Sequence, residues 1–444
     1  MQDRESQVRD WNVRGWNRRG VLGGAGVVGG AVLLRCLAHA SPADPRLPAV
    51  SALVDDYVDS GRLVGAVATL GWGSAPPEMV ARGVATRGDR RGLGLDNLFR
   101  IYSMTKPITG MAAMMLIDEG KLGLDQPIAD FLPGFAHMKV LADPAGPVDK
   151  VVPATAQITV RNLLTHTAGL GYTIIQSGPI RQAYLDAGIV PLRVSRVKLP
   201  FFASAPIAPS LAAFADRLAG LPLVYQPGTR WSYSVGLDLL GRVIELASGR
   251  DFAGFLQERL FDPLGMTSTA FELADRDVER FTSNYLIFDG RLLPIDGAVN
   301  SIYRDPPPFP FGGAGLISSP RDYDRFLAML LGGGVFAGKR VMGARAVALG
   351  TSNLLPPGAT TAGTWIAGHG FGAGGRVGLG AEAGTYGWSG AAGTLGFISK
   401  PGGVRGGLFT QYMPAMTYPL EKDFPQAVRS DVRARLLLQN KVPA

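Results

Sequence analysis

The residues that could do chemistry begin at Ser103. Ser103-Met104-Thr105-Lys106 opens a stretch over 103–120 that reads as a helix, and its Met111–Ile117 portion is apolar all round. A serine at such a start presents its hydroxyl at an exposed end, beside the positive end of the backbone dipoles. A lysine three residues on returns to the same face, within hydrogen-bond reach. Burial disfavours the charged form of a lysine, and a lysine so placed can take a serine's proton. The chemistry this pairing points to is acyl transfer, which needs a nucleophile, a base, and donors aimed at a developing oxyanion. Pro107 is compatible because it falls in the first turn.

The four-residue spacing alone is weak, since Ser195-Arg196-Val197-Lys198 repeats it. That copy lies in a basic stretch ending at Pro200, with no buried helix behind it, and reads as chance. Gly24-x-Gly26-x-x-Gly29 and Gly370-x-Gly372-x-x-Gly375 match a dinucleotide fingerprint, but the first lies in the segment that reads as an export signal and the second lacks a preceding Val/Ile-rich strand and sits in a Gly-rich run. Gly333–Gly338 with Lys339 nearly forms a phosphate loop, but Arg340 stands where a hydroxyl is needed. Gly387-Trp388-Ser389-Gly390-Ala391 misses an esterase elbow by one residue. His166 would be the tempting partner for Ser389. It opens a His-Thr-Ala-Gly turn, which favours a structural hydrogen-bonding role.

The elements that must position Ser103 and Lys106 follow from the rest of the chain. Of 444 residues, 46% are hydrophobic and 18% charged, enough apolar material for a large core and too little charge for a disordered chain. The 60 glycines have no three-residue period, which excludes collagen and indicates turns and close backbone approaches. One cysteine excludes an intrachain disulfide and thiolate metal clusters, and four histidines leave little room for a multi-histidine metal site. No metal or organic cofactor is expected. Residues 1–40 read as an export signal of the twin-arginine type. Arg18-Arg19 precedes an apolar run from Val21 to Leu34, and Ala38-His39-Ala40 offers a cleavage site. The run is shorter than the roughly 20 residues that span a bilayer. The expected location is therefore periplasmic or secreted, without stable membrane insertion. Setting residues 1–40 aside lowers the net charge from +8 to +5. The basic residues are dispersed, so no nucleic-acid partner is expected.

Helical spacing predicts helices over 49–60, 158–165, 211–218, 237–247, 252–260, 319–331 and 423–438. Strands are predicted over 64–70, 78–86, 384–399 and 404–412, and a long loop or lid over 172–209. Strands at both ends with helices between predict an α+β fold, its antiparallel sheet built from both termini and a mostly helical insertion between them. The corresponding division is a hydrolase domain over 41–444, with an α/β part at about 45–105 and 315–444 and a helical part at about 106–314.

Residues 98–120 resemble the nucleophile segment of serine hydrolases of the class C β-lactamase and penicillin-binding-protein superfamily, and most closely its esterase branch, the family VIII carboxylesterases. Similar stretches are Asn162–Leu170, Gln226–Thr229, Trp231–Gly236, Phe261–Met266 and Gly387–Thr394. The ordered set, spanning about residues 50–412, is far more specific than any one motif. The resemblance implies a β-lactamase/transpeptidase-like fold, with Ser103 as the acylated nucleophile and Lys106 and Tyr233 sharing proton transfer. It leaves open which of the two is the resting base. It implies an oxyanion hole from the backbone N–H groups of Ser103 and Ala391, and substrate contacts at Val235, Trp388, Ser389 and Gly390. Val235 stands where β-lactamases carry an amide-binding Asn, and Trp388 where many relatives carry a carboxylate-binding Lys. Read from its own residues, Tyr233 is either a hydrogen-bonded relay beside Lys106 or a core aromatic. The expected activity is a carboxylesterase acting on small short-chain esters through an acyl-enzyme. The alternatives are a peptidase or amidase for D-amino-acid compounds, a β-lactamase, or a non-catalytic binding protein that kept the fold.

Overall fold

The computed structural model describes residues 46–197 and 205–439. The predicted signal segment, residues 1–40, lies outside the described residues, as does Lys198 of the second Ser-x-x-Lys copy. Pro48–Asp59 forms α1, Gly65–Trp72 β1 and Glu78–Gly83 β2. Thr105–Asp118 forms α2, Gly236–Ser248 α3 and Pro320–Leu331 α4. Gly370–Phe371, Arg376–Val377, Thr385–Gly390, Thr394–Ser399 and Val404–Phe409 are β3 to β7, and Leu420–Gln439 is α5. The main sheet has the order β3-β4-β5-β6-β7-β1-β2 and is antiparallel throughout. Its central pairing joins chain segments more than 330 residues apart, with Val67 opposite Phe409 and Trp72 opposite Val404. This is the α+β, β-lactamase/transpeptidase-like architecture expected from the sequence, with the sheet built from both termini.

Period-2 alternation on β1 separates two cores. Ala66, Ala68 and Leu70 pack with Val50, Val54 and Tyr57 of α1 and with Phe424 and Val428 of α5. Val67 faces the other way, into the main core with Met104, Ile108 and Met111. Helix α2 is buried from Thr105 to Leu116, as an all-round apolar helix must be. Gly110 and Gly374 let the Gly-rich turn between β3 and β4 press against it. A Cβ at Gly110 would sit 2.2 Å from Ala373 O, and one at Gly374 2.3 Å from Lys106 O. The glycine run that mimics a dinucleotide fingerprint is thus a close backbone contact with the helix that carries Lys106.

Three of the places where the structure differs from the sequence reading are instructive. Within the predicted loop over 172–209, Gly178–Asp186 is a helix, because Ile180 and Tyr184, four residues apart, are buried on one face. The terminal helix begins at Leu420 rather than Asp423, because Leu420, Phe424 and Val428 form one buried stripe. Asn284–Phe288 and Arg291–Asp296 form a hairpin that the pattern did not disclose, paired through Asn284–Phe288 to Tyr412–Met413.

Candidate active site

Ser103 sits in a 3-10 turn, Tyr102–Met104, which runs directly into α2. Its position is fixed from both sides. Upstream, Arg100 is fully buried and paired with the equally buried Asp296. Its guanidinium also donates to Thr282 O at 2.6 Å and Gln411 Oε1 at 3.1 Å. Removing one member of such a pair leaves an uncompensated buried charge, which costs about 3–5 kcal/mol. Tyr102, next to the serine, has φ of 41°, a left-handed conformation that a bulky residue rarely adopts. Strain of that kind persists only where the surroundings over-determine it. Here Tyr102 is buried and its hydroxyl accepts from Asn284 Nδ2 at 3.1 Å.

Downstream, the 312–316 segment runs alongside the start of α2. Lys106 Nζ donates to Gly313 O at 2.6 Å, Thr109 Oγ1 donates to Gly312 O at 2.7 Å, and Leu316 N donates to Thr105 Oγ1 at 3.2 Å. Lys106 also donates to Ser103 Oγ at 3.3 Å and has no exposed surface. Its ammonium lies 4.5 Å from the Tyr233 ring centre and 5.7 Å from that of Tyr172, a cation–π arrangement in a desolvated setting. Tyr233 comes from the turn before α3, and its hydroxyl donates to Ser103 Oγ at 2.8 Å. Two groups able to carry a proton therefore converge on one serine oxygen, and Ser103 itself is only partly covered.

Backbone bonds from Trp231 to Thr360 O (2.9 Å), Ser232 to His166 O (2.9 Å) and Val235 to Gly171 O (3.2 Å) hold the Tyr233 turn. His166 is fully buried with φ of 56°. Its Nδ1 accepts from Ser234 N at 3.2 Å, and its ring lies 4.7 Å from the Tyr233 ring. Burial first, then the Lys106 charge, holds its pKa well below the usual imidazole value. It is an uncharged acceptor that orients the tyrosine turn, not a partner of Ser389.

Strand β5 closes the other side. Trp388 is buried and donates from Nε1 to Tyr233 Oη at 3.3 Å. Gly390 lets the β5–β6 turn lie on the nucleophile segment, since a Cβ there would be 2.4 Å from Ile101 O. Ala391 in that turn is exposed, and no acceptor among the described residues takes the backbone N–H of Ser103 or Ala391. Ser389 lies on β5, half-covered, beside Trp388. One expected contact is corrected: Val235 has no exposed surface and packs in the main core as the residue capping α3, so it shapes the site from behind. The second Ser-x-x-Lys copy has no such setting. Ser195 Oγ is engaged by the backbone of Ile295 and Val197, and Arg196 by Asp305.

The sequence reading missed the surroundings of Lys106. Asp238, in the first turn of α3, is buried and accepts from Gly313 N at 2.8 Å. Its signal was a lone carboxylate in the apolar run 237–240, a type almost never buried without a partner. Tyr172 and Trp231 pack on the Tyr233 ring, and Phe371 packs on Trp231 and Trp388 beside it. Trp365, its ring 5.3 Å from that of Tyr233, is 48% exposed and leaves an aromatic surface beside the site.

A serine, a lysine and a tyrosine joined at one oxygen, beside strand β5 of an antiparallel sheet built from both chain ends, define a serine hydrolase of the β-lactamase type. The chain belongs to the beta-lactamase family, whose model matches residues 50–424. It is 37% identical to Protein Rv1367c of Mycobacterium tuberculosis over 306 residues, 68% of this chain and 71% of that one. It is 33% identical to Esterase EstB of Burkholderia gladioli over 293 residues, 63% of this chain and 68% of that one. Among solved structures it superposes on EstCE1, described as a hydrolase with promiscuous acyltransferase activity. That match has a TM-score of 0.69 and 26% identity, and covers 88% of this chain and all of that one.

Proposed function

We propose that the protein is a carboxylesterase for small, uncharged, short-chain esters, working through an acyl-enzyme on Ser103. The observation that carries this reading is the convergence of Tyr233 Oη at 2.8 Å and Lys106 Nζ at 3.3 Å on Ser103 Oγ. In the reactive form the Tyr233–Lys106 pair holds one proton fewer than a phenol plus an ammonium; Ser103 Oγ bonds to the ester carbonyl carbon and its proton fills that vacancy in the pair. The carbonyl oxygen becomes an oxyanion held by the N–H groups of Ser103 and Ala391, donors that need no reorganisation at the moment of reaction. Collapse breaks the bond to the alcohol oxygen, which takes the proton back from the pair. Water then attacks the acyl carbon, giving one proton to the pair, and Ser103 Oγ recovers it as the carboxylic acid leaves.

Substrate choice follows from Trp388 and Trp365. A β-lactam carboxylate meets an indole at Trp388, where many relatives offer an ammonium, and a polar group left unpaired costs roughly 1–3 kcal/mol. That is a discrimination of about tenfold to a hundredfold, at about 1.4 kcal/mol per tenfold. An uncharged ester incurs no such cost and can cover the exposed face of Trp365. Export by the segment at 1–40 is part of the proposal, supported by Arg18-Arg19 and the apolar run that follows. The test is kcat/KM for p-nitrophenyl butyrate and for a cephalosporin on one preparation. The ester should exceed the cephalosporin by at least about tenfold. Comparable or reversed values would reject the esterase reading in favour of a β-lactamase or peptidase.

A further inference from the structure

Lys106 is a buried cation, and its surroundings hold one buried carboxylate that the reaction as described does not use. Asp238 Oδ1 accepts from the backbone N–H of Gly313 at 2.8 Å, and the carbonyl of the same residue accepts from Lys106 Nζ at 2.6 Å. Gly313 is thus a one-residue bridge with the carboxylate at one end and the ammonium at the other. The bridge demands a glycine: a Cβ at position 313 would lie 2.6 Å from Asp238 Oδ2. The N–H and the carbonyl of Gly313 belong to adjacent peptide units, so the link is one of position: the residue that Asp238 pins at its N–H is the one whose carbonyl holds the Lys106 ammonium. Moving a charge into a low-dielectric interior is also costly unless an opposite charge compensates it.

We propose that Asp238 is a positioning residue for Lys106: through Gly313 it fixes the ammonium beside Ser103 Oγ, and its carboxylate supplies the counter-charge. The proposal rests on the esterase reading above and adds a residue to it.

The charged and titratable groups around Asp238 are few. Lys106 faces it from α2 and Tyr172 from the segment that follows the Val160–Leu164 helix, His166 of that same segment acts on Lys106, and Tyr233 precedes Asp238 on its own turn. On the other helices packed against α3, Arg161 is paired with Asp125, Arg217 is bonded to Ala187 O, and Asp216 is exposed. Further along α3, Arg242 pairs with Glu245. Burial pushes the Asp238 carboxyl up to about 6, with Lys106 and the Gly313 N–H pulling the other way. Burial, and then the Lys106 charge, hold the His166 pKa well below the usual imidazole value, which favours its uncharged form. Tyr172 is pushed well above the usual phenol value by burial and by Asp238. Asp238 is therefore the group of this set whose charge changes near pH 6.

The experiment compares the parent, Asp238→Asn, Gly313→Ala and Ser103→Ala on p-nitrophenyl butyrate from pH 4.5 to 9. Asn keeps an oxygen for Gly313 N–H but removes the charge. The parent should lose kcat as pH falls through about 6. Asp238→Asn should lower kcat by at least about tenfold with KM nearly unchanged, and the limb near pH 6 should vanish. Gly313→Ala, which reaches the same bridge from its other side, should lower kcat in the same sense. It decides the matter if the Asn variant does not fold. Parental kcat with an unmoved acid limb in Asp238→Asn, or full activity in Gly313→Ala, would overturn the proposal while Ser103→Ala is inactive. An active Ser103→Ala would overturn the esterase reading, and this proposal with it.

Discussion

Asp238→Asn also makes a prediction about stability that can be worked through in numbers. The carboxyl is fully buried and is pushed from an ordinary value of 3.8 to about 6, chiefly by desolvation. A raised carboxyl means that between these two values the native state holds a proton that the unfolded chain has released. Stability then falls as pH rises through this window, because the slope follows the excess of protons bound by the unfolded state, which is here negative. A shift of about two pKa units at about 1.36 kcal/mol each is a loss of about 3 kcal/mol between roughly pH 4 and pH 6. An unfolding entropy of about 2.1 cal/mol/K per residue over about 400 residues converts this to about 3–4 °C in Tm. Asn carries no proton to lose. The difference in Tm between variant and parent should therefore move by about 3–4 °C in favour of the variant from pH 4 to pH 7, then level off. The comparison cancels the other ionisations, and thermal scans at matched rates measure it. A difference that stays constant across the window would refute the raised carboxyl. One that moves the opposite way would show Lys106 outweighing burial. A variant that is more stable above pH 6 yet slower would be the usual exchange of stability for function at a charged, desolvated site.

Two further outcomes follow from the geometry. Lys106→Ala and Tyr233→Phe should each reduce kcat at least about a hundredfold, the usual scale for a positioned proton-transfer group. Because both groups reach the same oxygen, Ser103 Oγ, the double variant should fall far short of the product of the two losses, and additive losses would argue for separate roles. Ser389→Ala should keep most of the activity in the same ester assay, since Ser389 lies along β5 without the lysine and tyrosine that converge on Ser103; a loss matching that of Ser103→Ala would contradict this.

How much of this was legible in the sequence varies with the distance over which each feature is built. Ser103 and Lys106 were readable because they lie three residues apart at the start of a helix whose apolar composition forces it into the core. The sheet built from both ends was readable because short strands cluster at residues 65–83 and 370–409. Tyr233 was reachable only through resemblance, because its approach to Ser103 spans 130 positions of chain. Asp238 was missed for a related reason. Its link to Lys106 passes through the backbone of Gly313, 75 residues away, and no spacing rule reports a backbone bridge. Val235 shows the converse: position in a motif suggested a substrate contact, and packing alone reveals that its side chain is covered. The helix at Gly178–Asp186 was hidden because prolines around it marked a loop while only Ile180, Tyr184 and Leu185 carry its buried face.

Ser103 Oγ is the atom acylated in the proposed reaction, and covalent labelling tests this most directly. The purified protein is treated with a fluorophosphonate, digested, and the modified peptide sequenced by mass spectrometry. One phosphonylated residue, Ser103, is expected, with ester hydrolysis lost in step with labelling and no label on Ser103→Ala. A label on Ser389, or undiminished hydrolysis by Ser103→Ala, would contradict it.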